Sequence, residues 1–115
     1  MNKKIKSKND IINYFENGCK KKNQFKIGVE HEKFLFQKNS NQRINFSTVT
    51  KLFNQLAVFG WKPIQENGKT ISLFRGDQSI TLEPGNQIEL SGAKLDSLNL
   101  VCDESFKFLN ELKIA

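Results

Sequence analysis

A chain of 115 residues, 37% of them hydrophobic and 26% charged, is long enough for one small domain with a real core and suits a soluble globular protein. No apolar run approaches the roughly 20 residues needed to span a bilayer, and the basic start Met1-Asn2-Lys3-Lys4-Ile5-Lys6 is followed by no apolar segment, so neither a membrane span nor a secretory signal is expected. The net charge of +6 is concentrated in Lys3, Lys4, Lys6 and Lys8 and in Lys20, Lys21 and Lys22; with no arginine or stacking aromatic among them, these lysines read as a solvated helix start and loop rather than a nucleic-acid surface.

Residues 7–20 read as a helix, capped by Ser7, with Asp10 in the first turn, where a carboxylate favours the helix dipole, and with Gly18 as its stop. Its apolar face is Ile11, Ile12, Tyr14 and Phe15, and so short a helix needs a partner surface. Residues 25–37 alternate as one long strand. A polar loop over 39–45 leads to an amphipathic helix over 47–59, with Ser47 or Thr48 as cap and Gly60 after the last turn. Residues 61–91 read as an antiparallel meander, turning at Asn67-Gly68, Gly76-Asp77 and Pro84-Gly85. A last amphipathic helix is expected from Leu95 onward, with Asp96 in its first turn and Leu95, Leu98, Val101, Cys102, Leu109 and Leu112 along its apolar stripe. The fold class is therefore α+β, an antiparallel meander with amphipathic helices packed on one face, all within one domain.

Cys19 and Cys102 are too far apart for a disulfide framework or a zinc knuckle, and the expected setting is reducing and cytoplasmic. Cys102 reads as a small core residue, because no neighbouring histidine or basic cluster argues for a nucleophile.

The chemically unusual feature is a set of glutamates on strand-like segments. Glu30 and Glu32 are two apart and share a face. Glu83 stands on the polar face of the strand that carries Ile80 and Leu82, and Glu89 on that of the strand that carries Ile88 and Leu90. If these strands lie in one sheet, four carboxylates meet on one surface. Such oxygen-rich sets hold hard divalent cations, which bridge to phosphates; the bland alternative is a solvated sheet face. His31, between the glutamates but on the opposite face, is either a ligand or general base, or a hydrogen-bonded histidine packed beneath the sheet. Arg75 pairs either with a phosphate or with Asp77. Gly85 serves the turn or a close approach to the backbone.

Two stretches carry a family resemblance. Gly28-Val29-Glu30-His31-Glu32-Lys33-Phe34 and Ser79-Ile80-Thr81-Leu82-Glu83-Pro84-Gly85-Asn86-Gln87-Ile88-Glu89-Leu90-Ser91-Gly92 resemble two motifs of glutamate–cysteine ligase of the plant and proteobacterial type. Asn86 and Lys94 depart from that pattern, at positions where glycine and proline are usual. The resemblance runs from about Ser7 to the end of the chain. Family members are several times longer, so it implies a single partial domain over residues 1–115, the amino-terminal part of a catalytic domain related to glutamine synthetase.

The activity so implied is ATP-dependent ligation of the γ-carboxylate of L-glutamate to L-cysteine through γ-glutamyl phosphate, the first step of glutathione synthesis. The implied cofactor is Mg2+, held by Glu30, Glu32, Glu83 and Glu89, with Gln87 and Arg75 as substrate-binding residues. ATP, L-glutamate, L-cysteine and the remainder of the ligase chain are the expected partners, with neither nucleic acid nor membrane among them. This chain alone is expected to be inactive. The rival reading is a non-catalytic α+β binding module that keeps the same motif face; a basic nucleic-acid-binding domain comes last.

Overall fold

The computed structural model describes residues 4–115; of the basic residues named above, Lys3 lies outside the described residues. Three α-helices and five strands follow in the order α1 (Lys8–Gly18), β1 (Glu30–Lys33), α2 (Phe46–Leu56), β2 (Lys62–Glu66), β3 (Lys69–Arg75), β4 (Gln78–Glu83), β5 (Gln87–Ser91) and α3 (Leu98–Ile114). Short 3-10 turns occupy Lys22–Gln24 and Ala57–Phe59. The strands form one sheet in the order β1-β5-β4-β3-β2, and each neighbouring pair is antiparallel. The expected α+β meander is thus present, with β1 added at the edge beside β5. None of the described helices is long and apolar enough to cross a membrane.

Local chemistry sets the connections. Asn67 and Gly68 take φ of 49° and 73°, the left-handed pair that a tight hairpin turn requires and that these residue types tolerate. Ser7 caps α1: its Oγ accepts from the Asp10 N–H at 3.2 Å, while the Asp10 carboxylate accepts from the Ser7 N–H at 2.9 Å. Gly60 ends the second helical segment at φ 87°.

The core lies on one face of the sheet. Val49, Phe53 and Leu56 of α2, together with Phe108 of α3, pack on Leu73, Ile80, Ile88 and Leu90, with Trp61 at the margin. Burying each such side chain contributes about 1.5–3 kcal/mol. Glu111 is buried with them at 5% exposure. It is held there by the Trp61 Nε1–H at 2.8 Å and the Arg75 guanidinium at 2.8 Å, and Arg75 also stacks over the Trp61 ring.

Five expectations are corrected. The segment 25–37 is not one strand: only Glu30–Lys33 pairs with β5, flanked by single bridges from Ile27 to Leu95 and from Phe36 to Arg43. The ladder uses Ile88–Ser91 and ends just before β5 enters its turn. Asn45, not Ser47 or Thr48, caps α2, its Oδ1 accepting from the Thr48 N–H at 3.0 Å. Asp96 lies before α3, where it pairs with Lys26, and Ser97 is the cap. Cys102 is exposed, because the buried side of α3 runs through Val101, Phe108 and Glu111. Finally, α1 buries no residue: Tyr14 is 77% and Phe15 69% exposed, so two of the three helices, not all, pack on the sheet.

Candidate functional site

Pleating and register place the glutamates. In the β1–β5 ladder Glu30 stands opposite Ser91 and Glu32 opposite Glu89. In the β5–β4 ladder Glu89 stands opposite Thr81 and Gln87 opposite Glu83. Residues directly opposite share a face, and so do residues two apart on one strand. Glu30, Glu32, Glu83, Gln87 and Glu89 therefore all project from the sheet face opposite α2 and α3. Their rows are completed by Ser79, Thr81 and Ser91.

Two of the carboxylates are steadied by hydroxyls on the same strand. Thr81 Oγ1 donates to Glu83 Oε1 at 2.8 Å, and Ser91 Oγ donates to Glu89 Oε1 at 3.1 Å. Each donor occupies one carboxylate oxygen and leaves the other without a hydrogen bond among the described residues. Glu32 and Glu89, directly opposed and of like charge, oppose sheet pairing on their own. A cation between them reverses the sign of that interaction. The donor set is all oxygen and anionic, which suits a hard divalent ion such as Mg2+. Among the described residues, however, no three carboxylate, histidine or cysteine side chains stand close enough together to hold an ion as they are.

His31 points to the other face, as its position between the glutamates requires. Ser105 Oγ donates to the Val101 carbonyl at 2.9 Å and lies within hydrogen-bond distance of His31 Nε2 at 3.2 Å. His31 thus fastens β1 to α3 beneath the acidic face.

Arg75 is not at this face. It is level with Gln78 on the core side, donates to Glu111, to the Phe59 carbonyl at 3.0 Å and to Gln78 Oε1 at 3.2 Å, and stacks on Trp61. Its assignment to substrate phosphate is withdrawn, and its acidic partner is Glu111 rather than Asp77. The arginine that does reach the acidic side is Arg43, which sequence reasoning passed over. It donates to the Gly85 carbonyl in the β4–β5 turn and stacks on Phe34 at 4.4 Å. A signal was present: Arg43 and Arg75 are the only arginines in a chain with 18 Lys and Arg, and arginine is chosen over lysine where a planar fork matters.

Gly92 closes the end of β5. A Cβ there would overlap Glu104 Oε2 and come within 3.0 Å of the Val29 carbonyl. Glu104 Oε1 accepts from the Ala93 N–H at 2.8 Å and from Gln78 Nε2 at 2.6 Å, so α3 also holds the strand that carries Glu89.

No family model matches the chain. Curated proteins do. Over 108 residues, 93% of this chain, it is 42% identical to the chloroplastic glutamate–cysteine ligases of Arabidopsis thaliana and Medicago truncatula. The identity is also 42% with glutamate–cysteine ligase A of Oryza sativa subsp. japonica. The chain is homologous to the glutamate–cysteine ligases. It spans about a fifth of the length of these relatives, 21% of the first two and 22% of the rice protein. Their names also overturn the expected cytoplasmic setting: every one of these ligases is named chloroplastic. Two unpaired cysteines and an ordinary composition suit any reducing compartment and never singled out the cytoplasm.

Proposed function

We propose that this chain supplies part of the phosphoryl-transfer surface of a glutamate–cysteine ligase. The reaction is ATP-dependent: the γ-carboxylate of L-glutamate takes the terminal phosphoryl group of ATP, and the amine of L-cysteine then displaces phosphate from γ-glutamyl phosphate. The observation that carries the reading is the row in which Glu32 faces Glu89, in a chain homologous to these ligases over 93% of its length.

Glu30, Glu32, Glu83 and Glu89 are the residues that would hold Mg2+. When bound, the ion supplies neutralising charge for the phosphates. The role of the glutamates is electrostatic and positional rather than acid–base. Thr81 and Ser91 orient two of the carboxylates through their hydroxyls. Gln87, level with Glu83 at the turn end of the hairpin, carries an amide that both donates and accepts, and it orients substrate. The sheet belongs, on this reading, to a larger core related to glutamine synthetase. The rest of such a core provides the adenine and cysteine contacts, so these 115 residues alone ligate nothing.

The test uses Mn2+ as a paramagnetic substitute for Mg2+. Added to the chain, it is expected to broaden backbone resonances of β1, β4 and β5 around Glu32, Glu83 and Glu89. Glu32→Gln and Glu83→Gln are expected to weaken the effect about tenfold or more while the fold persists. Broadening unchanged in both variants would remove the metal role. It would favour the non-catalytic binding module, the reading to which the absence of a ready three-ligand cluster among the described residues lends weight.

A further inference from the structure

At the edge of the acidic face stands Arg43, a cation that takes no part in holding the ion. We propose that Arg43 is an oxyanion-binding residue of this face, presenting its guanidinium to a phosphoryl or carboxylate group of a ligand; the proposal rests on the reading of that face as a substrate surface.

Three observations place Arg43 there. First, burial alternates without a break from Glu30 to Phe36, with Glu30, Glu32, Phe34 and Phe36 exposed and His31, Lys33 and Leu35 partly buried. Leu35 packs against the core, so Phe34 lies on the outer side with the glutamates. Phe34 directly follows the last β1–β5 pair, Lys33↔Ile88, and so lies beside the turn end of the β4–β5 hairpin, where Glu83 faces Gln87. The guanidinium sits over the Phe34 ring at 4.4 Å and so at the edge of this outer side.

Second, the side chain is held in place. Arg43 Nη2 donates to the Gly85 carbonyl, and Asn86 Nδ2 donates to the Ile44 carbonyl at 3.0 Å, clipping the loop onto the β4–β5 turn. Gly85 has φ 74° and leaves the space that Arg43 fills: a Cβ would stand 3.2 Å from Nη1 and 3.3 Å from Nη2. The turn and the close approach of Arg43 therefore both call for glycine at this position.

Third, the charge is uncompensated. The ion pairs among the described residues are Lys26–Asp96 and Arg75–Glu111. The hydrogen-bond partner of Arg43 is a neutral carbonyl, which leaves most of its five N–H donors available in a fixed fork. Such a fork matches the two oxygens of a phosphoryl group or a carboxylate. A stacked, half-anchored guanidinium loses little entropy on binding one.

The test is NMR titration of the 115-residue chain with tripolyphosphate in one arm and L-glutamate in the other, neither with metal, alongside the Mn2+ titration above. Tripolyphosphate, L-glutamate or both are expected to shift the Arg43 side-chain N–H and the Gly85 amide, and the arm that does so identifies the oxyanion. Arg43→Gln is expected to weaken that binding about tenfold, and Arg43→Lys to restore part of it. An unmoved Arg43 resonance in wild type overturns the proposal without recourse to any variant. So do shifts confined to Lys20, Lys21 and Lys22, or equal binding by Arg43→Gln. Loss of the Mn2+ effect with the Arg43 response intact counts against the metal role and upholds Arg43; the reverse pattern does the opposite.

Discussion

The two faces of the β4–β5 hairpin are built from alternate residues of the same two strands and obey opposite rules. On the inner face Ile80, Ile88 and Leu90 have 0% exposure and pack against α2 and α3. On the outer face Glu83 stands three positions after Ile80 and Glu89 one before Leu90, each beside a hydroxyl, with Glu83 opposite Gln87 and Glu89 opposite Glu32. The inner face lowers the free energy of the fold. The outer one gains nothing from bringing Glu32 and Glu89 together, and a fold selected only for stability has no reason to do so. Such a local conflict, inside a sheet whose turns and core agree with one another, marks a surface shaped for something other than folding.

Adjacent residues on β5 give the sharpest way to break this contrast. Leu90→Ala is expected to cost about 2–5 kcal/mol, because the buried site cannot fully collapse around the cavity. Glu89→Gln, one residue away, is expected to leave the melting midpoint unchanged or raise it slightly by relieving repulsion from Glu32, by about 0.2–1 kcal/mol at most. Thermal or urea melts of the two variants measure this directly. A Glu89→Gln loss as large as that of Leu90→Ala would make the outer carboxylates structural and erase the distinction between the faces.

The inner face contains one group that looks as if it belongs outside. Glu111 is buried at 5% exposure, with Arg75 and the Trp61 indole as partners. Removing one partner of a buried pair leaves the other charge uncompensated. The Arg75 side chain is still 19% exposed, which softens the penalty. Glu111→Ala is therefore expected to cost about 2–3 kcal/mol, below the largest cavity effects. Glu111→Gln is expected to keep the Trp61 contact and lose less. Comparable urea midpoints for Glu111→Ala and wild type would show that the cluster adds nothing to the fold.

These particulars show why some of the chain could be read in advance. The hairpins were legible because Asn67-Gly68 and Pro84-Gly85 encode backbone angles locally, and the face of each glutamate followed from a period of two. What stayed hidden depended on partners far along the chain. β1 covers only Glu30–Lys33 because its partner is the stretch Ile88–Ser91 of β5, some 55 residues later, and pairing ends where that partner leads into its turn. Arg75 was misassigned because its partner, Glu111, lies 36 residues away and a glutamate is not an obvious core residue. Arg43 was overlooked because its loop has no periodicity; only the fold brings it against Phe34 and Gly85. Cys102 follows Val101, which is buried, but the next helical position faces about 100° away.

The smallest effect concerns a region that belongs to neither face. α1 buries no residue, so its order depends on its own ends. The Lys6 backbone N–H, at 2.8 Å, holds the Asp10 carboxyl below its ordinary 3.8 against the opposing effect of desolvation, and the Ser7 N–H, at 2.9 Å, adds a smaller lowering. A carboxyl whose value is depressed on folding stabilises the folded form fully above its unfolded value. That stabilisation is lost as pH falls through the lower, folded value. Helical ellipticity from α1 is therefore expected to hold above pH 3.8 and to decline on further acidification. In an Asp10→Asn variant the decline specific to this residue is expected to vanish. Because α1 stands clear of the core, the inner-face melting midpoint of that variant at neutral pH should match that of wild type. A shared drop in both signals would mean that α1 is coupled to the sheet after all, and the two-face description would then have to include it.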